Sequence, residues 1–381
     1  MALYQVALLG EADANVRRQL TSTLLEMVEP LGIKHEIEVT LSPTPFKPKN
    51  DYASVALFFG ALGLTADEVM LHSLMRQGTP VIPIVPDLRA FSTLVPKCLH
   101  AINGLELDAS DTKLLRLATL ALEVLGLLHR QRRVFLSYKR TESRDAALQL
   151  YEYLAGLHFD LFLDTHGLLP GDDFQEVLWH RLSDCDVLVM LDTPSYFESR
   201  WTSQEYGRAL AKSLEPLRLG WPGVPPSPRT MAAESLQLQA ADFEAGGKLF
   251  TAATLKRVAL AVERVRSRGI ALRSAEMNGA IILAVEKVDG RFLALGPKRT
   301  IVIELVSGHR ILVFPSVGVP NAQHLYEVSM LDWKTDSRAV VFDDAGLEQR
   351  WQAQLEWLGT QVRTARWLKM ARAAWEFAAW G

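Results

Sequence analysis

SDCDVLVMLDTPSYFESRWTSQEYGRAL, residues 183–210, places an apolar run of strand length before turn residues and an amphipathic helix. The run DVLVMLD (186–192) lacks polar alternation, the pattern of a strand buried on both faces in a parallel sheet covered by helices. In the following helix, RWTSQEYGRALAKSL (200–214), Trp201 and Glu205 stand four apart and so share one face. Glu205 is either a solvated glutamate packed beside a tryptophan or the carboxylate on which a site is built. Spacing alone leaves both readings open.

The pattern repeats outward. RRVFLSY (132–138) and FDLFLDT (159–165) read as strands, and SRDAALQLYEYLAGL (143–157), FQEVLWHRLSDC (174–185) and TAATLKRVALAVERVRSRG (251–269) as helices, the last ending near Gly269. Toward the N-terminus, YQVALLG, HEIEVT, ASVALFFG and PVIPIVP alternate with helical stretches, closing near residue 130. From about residue 278, turns at VDG, GPK and SGH predict antiparallel strands; RAVVFDD is a further strand candidate, and residues 346–380 read as helical. The expected class is α/β, with two flavodoxin-like parallel-sheet domains, 1–130 and 131–269, followed by a smaller α+β domain, 270–381. Trp351, Trp357, Trp367, Trp375 and Trp380 crowd the last segment and are expected to be buried against the sheet or another domain, a partner-docking surface being the alternative.

At 381 residues the chain exceeds one ordinary core, which agrees with several domains. Its 49% hydrophobic and 22% charged residues are those of a globular protein, and the net charge of -3 argues against a phosphate-neutralising nucleic-acid binder. Two cysteines, Cys98 and Cys185, without a CxxC partner or paired histidines predict neither a disulfide framework nor a metal site. The first residues lack a basic n-region, and no apolar stretch is long enough to span a bilayer, so a cytoplasmic protein without membrane contact is expected.

In an open parallel sheet ligands sit beyond the carboxyl ends of the strands. The first strand leads to SYKRTES, with Tyr138, Lys139 and Arg140; the second to DTHGLLPGDD (164–173); the third to DTPSYFESRW and the helix of Glu205. A basic pair, a Gly/Pro loop and an acid with an aromatic neighbour thus converge on one edge. Arg208, one turn beyond Glu205, is placed for a helix ion pair that would keep the acid ionised.

In this arrangement the middle segment resembles a TIR domain of the bacterial, NAD-cleaving kind. The resemblance rests on FLSYKR in the opening strand, Asp164 closing the second, GLLPGDDF after it, and SDCDVLVMLDTPSYFESRWTSQE with its Ser-Trp pair and Trp-x-x-x-Glu signature. It covers 131–269, about a third of the chain, and implies that Glu205 is the catalytic glutamate of an NAD glycohydrolase. Nicotinamide leaves as a neutral base from a pyridinium, so no acid need protonate it, and one carboxylate facing the developing oxocarbenium ion suffices. NAD+ is then substrate, with no resident cofactor. Around it the resemblance gathers Trp201, Lys139, Arg140, Tyr138, Asp164, Leu168 and Gly171. Trp201 either packs on the nicotinamide ribose or braces the helix; Lys139 and Arg140 either meet the pyrophosphate or are solvated; Ser137 and Tyr138 shape the first loop. The loop carrying Leu168 and Leu169 is expected to join TIR domains in self-association.

The implied activity is release of nicotinamide with ADP-ribose or a cyclic ADP-ribose, as an effector in prokaryotic antiphage immunity set off by a signal ligand, a protein trigger or assembly. The alternative is a TIR scaffold that only self-associates. The first domain reads as a degenerate TIR-like or flavodoxin-like unit: Glu68 stands near the position of Glu205, but Leu64 replaces the tryptophan and no FLSY follows the first strand. A phosphate-accepting receiver is excluded because VALFFG ends in glycine where an Asp is needed, and GxGxxG and GxxxxGK loops are absent. The last domain matches no nameable family; by analogy with effector–sensor pairs it is a sensor or an oligomerisation module.

Overall fold

The computed structural model describes residues 4–29, 34, 37–41, 46–49, 53–62, 68–77, 79–100, 102, 104–107, 111–125, 127–128, 132–163, 174–231, 233–295, 300–331 and 334–380. Two compact units divide it, one within residues 1–130 and one comprising 131–295 with 300–381. No helix among the described residues is long and apolar enough to cross a membrane.

The first unit runs β1 (Tyr4–Gly10), α1 (Ala14–Val28), β2 (Ile37–Leu41), β3 (Ala53–Phe59), α2 (Glu68–Arg76), β4 (Val81–Val85), α3 (Phe91–Leu94), β5 (Leu105–Glu106) and α4 (Asp111–Val124). Its sheet is all parallel in the order β2-β1-β3-β4-β5, the doubly wound arrangement expected. The β1 end is tight: Gly10 has φ +77, and a Cβ there would lie 2.2 Å from the Phe59 carbonyl oxygen, so glycine is required.

The second unit opens with β6 (Arg133–Ser137), α5 (Arg140–Gly156), β7 (Asp160–Leu163), α6 (Phe174–Asp184), β8 (Val187–Asp192), α7 (Arg200–Ala211), β9 (Glu215–Gly220) and β10 (Glu234–Gln237). The order β10-β9-β8-β6-β7, again all parallel, puts the switch of winding direction between β6 and β8. Val134, Leu136, Val187, Val189 and Leu191 enter one core with α5, while Phe135, Leu188 and Met190 enter another with α6 and α7. Burial on both faces is why these strands read as unbroken apolar runs.

Within β9 sits a fully buried Arg218. Its Nε donates to Asp192 at 2.5 Å, Nη1 to Ser235 (3.0 Å) and Gln237 (2.9 Å), and Nη2 to the Val224 carbonyl (2.9 Å). Burial raises the Asp192 pKa and the Arg218 bond and charge oppose that rise. A Cβ at Gly220 would fall 2.2 Å from Arg218 Nη1.

The helix expected to stop near Gly269 instead runs as α8 (Ala252–Glu286), 35 residues long. Glycine was read as a stop, yet it costs a helix only about 1 kcal/mol, and packing on both sides of it outweighs that. Leu255, Val258, Val262 and Val265 complete the core of the parallel sheet, and Ile281, Ala284 and Val285 complete that of a third sheet. Between them lies a buried ion network: Asp186 accepts from Arg266 Nε (2.9 Å) and the Arg133 N–H (3.2 Å), and Glu263 accepts from Arg266 Nη1 (3.0 Å) and Arg132 Nη2 (2.7 Å).

The third sheet takes β11 (Arg291–Leu295), β12 (Ile301–Glu304), β13 (Arg310–Ser316), α9 (Ala322–Met330), β14 (Ser337–Phe342), α10 (Gln349–Gln361), β15 (Arg366–Lys369) and α11 (Ala373–Ala378). It is mixed: β11-β12-β13 are antiparallel, as the turn signals indicate, but β14 and β15 add in parallel. β15 interrupts the stretch expected to be wholly helical, because four residues are too few for periodicity to register. Of the five tryptophans, Trp351, Trp367 and Trp380 are half-buried, whereas Trp357 and Trp375 are exposed, which corrects the expectation of burial for those two.

The sheet docks against α6 and α7 within the same unit. Glu176 caps the Gln349 N–H at the start of α10 (2.7 Å), His180 Nδ1 accepts from the Glu348 N–H (3.3 Å), and Lys212 pairs with Asp343 at 2.6 Å. Burial, with the Arg181 and Arg133 charges, pulls the His180 pKa down to about 4, so the ring is neutral and able to accept.

Arg218→Ala strips one partner from a buried pair and is expected to cost about 3–5 kcal/mol of unfolding free energy in a urea titration. Gly220→Ala, which forces the guanidinium aside, should lower the midpoint in the same direction. Wild-type midpoints in both would show that the pair does not brace the sheet.

Candidate active site

Glu205 lies in the second turn of α7 and is only 3% exposed. Its carboxylate faces the end of β6, where the Ser137 hydroxyl donates to Glu205 Oε2 at 2.5 Å. The Tyr196 hydroxyl, in the turn between β8 and α7, lies 2.7 Å from the same serine oxygen. A carboxylate only accepts, so the single serine proton points to Glu205 and Tyr196 donates to Ser137. Ser137 and Tyr196 are fully buried. Burial and then the Glu205 charge push the tyrosine pKa well up, which keeps it a neutral donor.

The turn holding Tyr196 is itself gripped by α7: Thr202 Oγ1 donates to the Tyr196 carbonyl and Ser203 Oγ to that of Phe197 (3.0 Å). Phe197 stands edge-on between Tyr196 and Tyr206. Arg208, the expected ion partner of Glu205, lays its guanidinium over the Trp179 ring, 3.0 Å from the centroid. Burial lowers its pKa while the Glu205 charge pushes it up, so the two groups do interact electrostatically.

Beside this network a cavity of about 630 Å3 opens at the carboxyl edge. It is lined by Tyr138, Lys139, Arg140, Thr141, Ser199, Trp201 and Thr202, a size within the usual range for ligand pockets of about 300–1,000 Å3. Four residues singled out from sequence, Tyr138, Lys139, Arg140 and Trp201, thus share one cavity. Glu205 is not in its lining; its hydrogen-bond partner Ser137 directly precedes the lining residue Tyr138, and the lining residue Thr202 stands three positions before it on α7. Asp164, Leu168, Leu169 and Gly171 lie outside the described residues.

Tyr138 is buried, and Trp201 is 49% exposed at the cavity. Lys139 donates to the Ser195 carbonyl (3.2 Å) and stands 3.7 Å from both Glu142 and Glu198. Glu142 also accepts from the Ser195 hydroxyl and backbone N–H. Burial would raise its pKa, but these bonds and the Lys139 charge lower it, so a charged clamp joins the first and third loops. Arg140 opens α5 and is exposed at the cavity. In the first unit, Glu68 opens α2 and is exposed, unlike its buried counterpart Glu205; Leu64 lies outside the described residues.

Sequence reading missed Tyr196 and Glu142 as working parts and saw Ser137 only as shaping a loop. The signal for the first was present, a tyrosine between the third strand and Trp-x-x-x-Glu, but only the β6–β8 adjacency shows that it reaches Ser137.

Residues 134–258 match a protein family described as TIR domain, about a third of the chain. No curated protein matches it.

Ser137→Ala removes the donor between two fully buried polar groups and is expected to destabilise the protein by about 1–3 kcal/mol in chemical denaturation. Tyr196→Phe, which leaves the Ser137–Glu205 bond in place, should cost less. The reverse ranking would place the tyrosine bond, not the carboxylate bond, at the centre of the network.

Proposed function

We propose that this TIR-domain protein is an NAD+ glycohydrolase in which Glu205 stabilises the ribosyl cation formed as nicotinamide departs. The observation that carries this reading is a buried carboxylate, bonded to Ser137 at the switch point of a parallel sheet, on the helix whose Trp201 and Thr202 line a cavity of about 630 Å3. NAD+ is the substrate, and no second carboxylate is required because the leaving group is neutral once detached. Trp201 offers its exposed face to the nicotinamide riboside, and Arg140 with Lys139 offers positive charge to the pyrophosphate. The resemblance also gathers Asp164, Leu168 and Gly171, which lie outside the described residues.

Glu205 is buried and outside the cavity lining, so its approach to the ribose is gated. TIR domains commonly self-associate, and assembly or a trigger that reorders the loops over Ser137 is the proposed gate. Products are nicotinamide with ADP-ribose or its cyclised form. By analogy with other TIR effectors the setting is cytoplasmic antiphage defence, with the C-terminal domain as sensor or oligomerisation module. The same burial of Glu205 is the observation favouring a second reading, a scaffold that self-associates without chemistry.

Nicotinamide release from NAD+, followed at high protein concentration and with a crowding agent, separates the two. Loss of a preorganised charge typically costs about 100- to 1,000-fold, so Glu205→Gln should fall by at least about 100-fold while remaining folded by circular dichroism. Trp201→Ala should mainly raise KM. Turnover by Glu205→Gln equal to wild type would remove this residue from the chemistry, and no release by the wild type under any assembly condition would favour the scaffold.

A further inference from the structure

A second cavity, of about 240 Å3, lies in the seam between the mixed sheet and the carboxyl-terminal ends of α6 and α7. Its placement follows the strand-end rule: each parallel strand of that sheet contributes the residues just past its end, Ser316 to Gly318 from β13, Asp343 from β14 and Met370 from β15. The opposite wall brings Lys212 from the end of α7 and Arg273 and Ala280 from α8. At this volume it is too small for a dinucleotide and suits a small metabolite.

Arg273 is the unusual member. It is 8% exposed, its Nη2 donates to the Cys185 carbonyl (3.1 Å) and stands 3.8 Å from Asp186, and its Nε has no hydrogen-bond partner among the described residues. A guanidinium is planar with donors in a fixed fork, and buried donors are rarely left unused. The second cation, Lys212, is held by Asp343 at 2.6 Å, a pair that a competing oxyanion can replace. Hydroxyls of Ser183 and Ser213 add donors around the cavity, while that of Ser316 is bonded to His324 Nδ1 (3.1 Å). Against an anion stand Glu276 and Asp343 in the lining, Asp186 and Asp184 near Arg273, and the carbonyl ends of α6 and α7; for it stand a guanidinium fork and an ammonium, which bind an oxyanion through charge-assisted bonds.

We propose that this seam cavity binds a small molecule through an oxyanion, a phosphate or a carboxylate, taken by Arg273 and Lys212. The site is separate from the Glu205 cavity, and its occupancy does not depend on NAD+ cleavage. Lys212 nonetheless terminates the helix that bears Glu205, so ligand in the seam and the carboxylate share one element.

Calorimetric titration of the full chain with inorganic phosphate, and separately with malonate, against sodium chloride of matched ionic strength, tests this. Saturable binding of one anion per chain is expected for at least one probe; phosphate alone identifies a phosphate ester as the ligand class and malonate alone a carboxylate. Arg273→Gln should weaken that binding at least tenfold. Ala280→Phe, which fills the cavity without altering its charge and guards against a misfolded arginine variant, should do the same, and Lys256→Gln on the exposed face of α8 should not. No saturable binding of either anion by the wild type, or unchanged affinity in Ala280→Phe, overturns the proposal.

Discussion

The hydrogen bond from Ser137 to Glu205 joins the end of the first strand of the TIR sheet to the helix that follows its third strand. Those two strands are adjacent only because the winding direction switches between them, so topology and not chain proximity creates the contact; 68 residues separate the partners. A carboxylate buried to 3% exposure is costly unless paired or hydrogen-bonded. The serine–tyrosine relay and the nearby Arg208 charge supply that compensation. Once the acid is fixed, the surrounding parts have defined positions: Thr202 grips the tyrosine turn, Glu142 and Lys139 clamp the first loop to the third, and Trp201 is left facing the cavity.

The rest of the second unit holds that edge rigid from below and from the side. Arg218 and Asp192 lock the far end of β8, while Arg266, Glu263 and Asp186 tie the opposite end of the sheet to α8. Because α8 continues into the core of the mixed sheet, the C-terminal segment is packed onto the TIR portion and not strung from it. Glu176 and His180 on α6 and Lys212 at the end of α7 complete the docking. The mixed sheet and the helix of Glu205 are thereby joined through side-chain contacts within one unit.

Much of this was legible in the sequence. Strands buried on both faces, such as DVLVMLD and VFLS, declare themselves by unbroken apolar runs, and two parallel α/β sheets followed by a different third segment are what the structure contains. The convergence of Tyr138, Lys139, Arg140 and Trp201 also followed from strand order alone. What escaped detection was long-range or short. Ser137 and Tyr196 as partners of Glu205 depend on strand adjacency. α8 overruns Gly269 because two cores hold it, a tertiary effect that outweighs a local stop signal. β15 has four residues, and the exposed Trp357 and Trp375 show that aromatic content does not guarantee burial.

The most direct measurement is a crystal structure of the full chain with a non-cleavable NAD+ analogue, formed at high protein concentration. The expected result is the nicotinamide-side ribose over Ser137, with its hydroxyls at about 2.6–3.2 Å from the Glu205 carboxylate and the pyrophosphate beside Arg140. An analogue bound elsewhere, or one filling the cavity while Glu205 remains buried and out of contact with it, would contradict a catalytic role for this carboxylate.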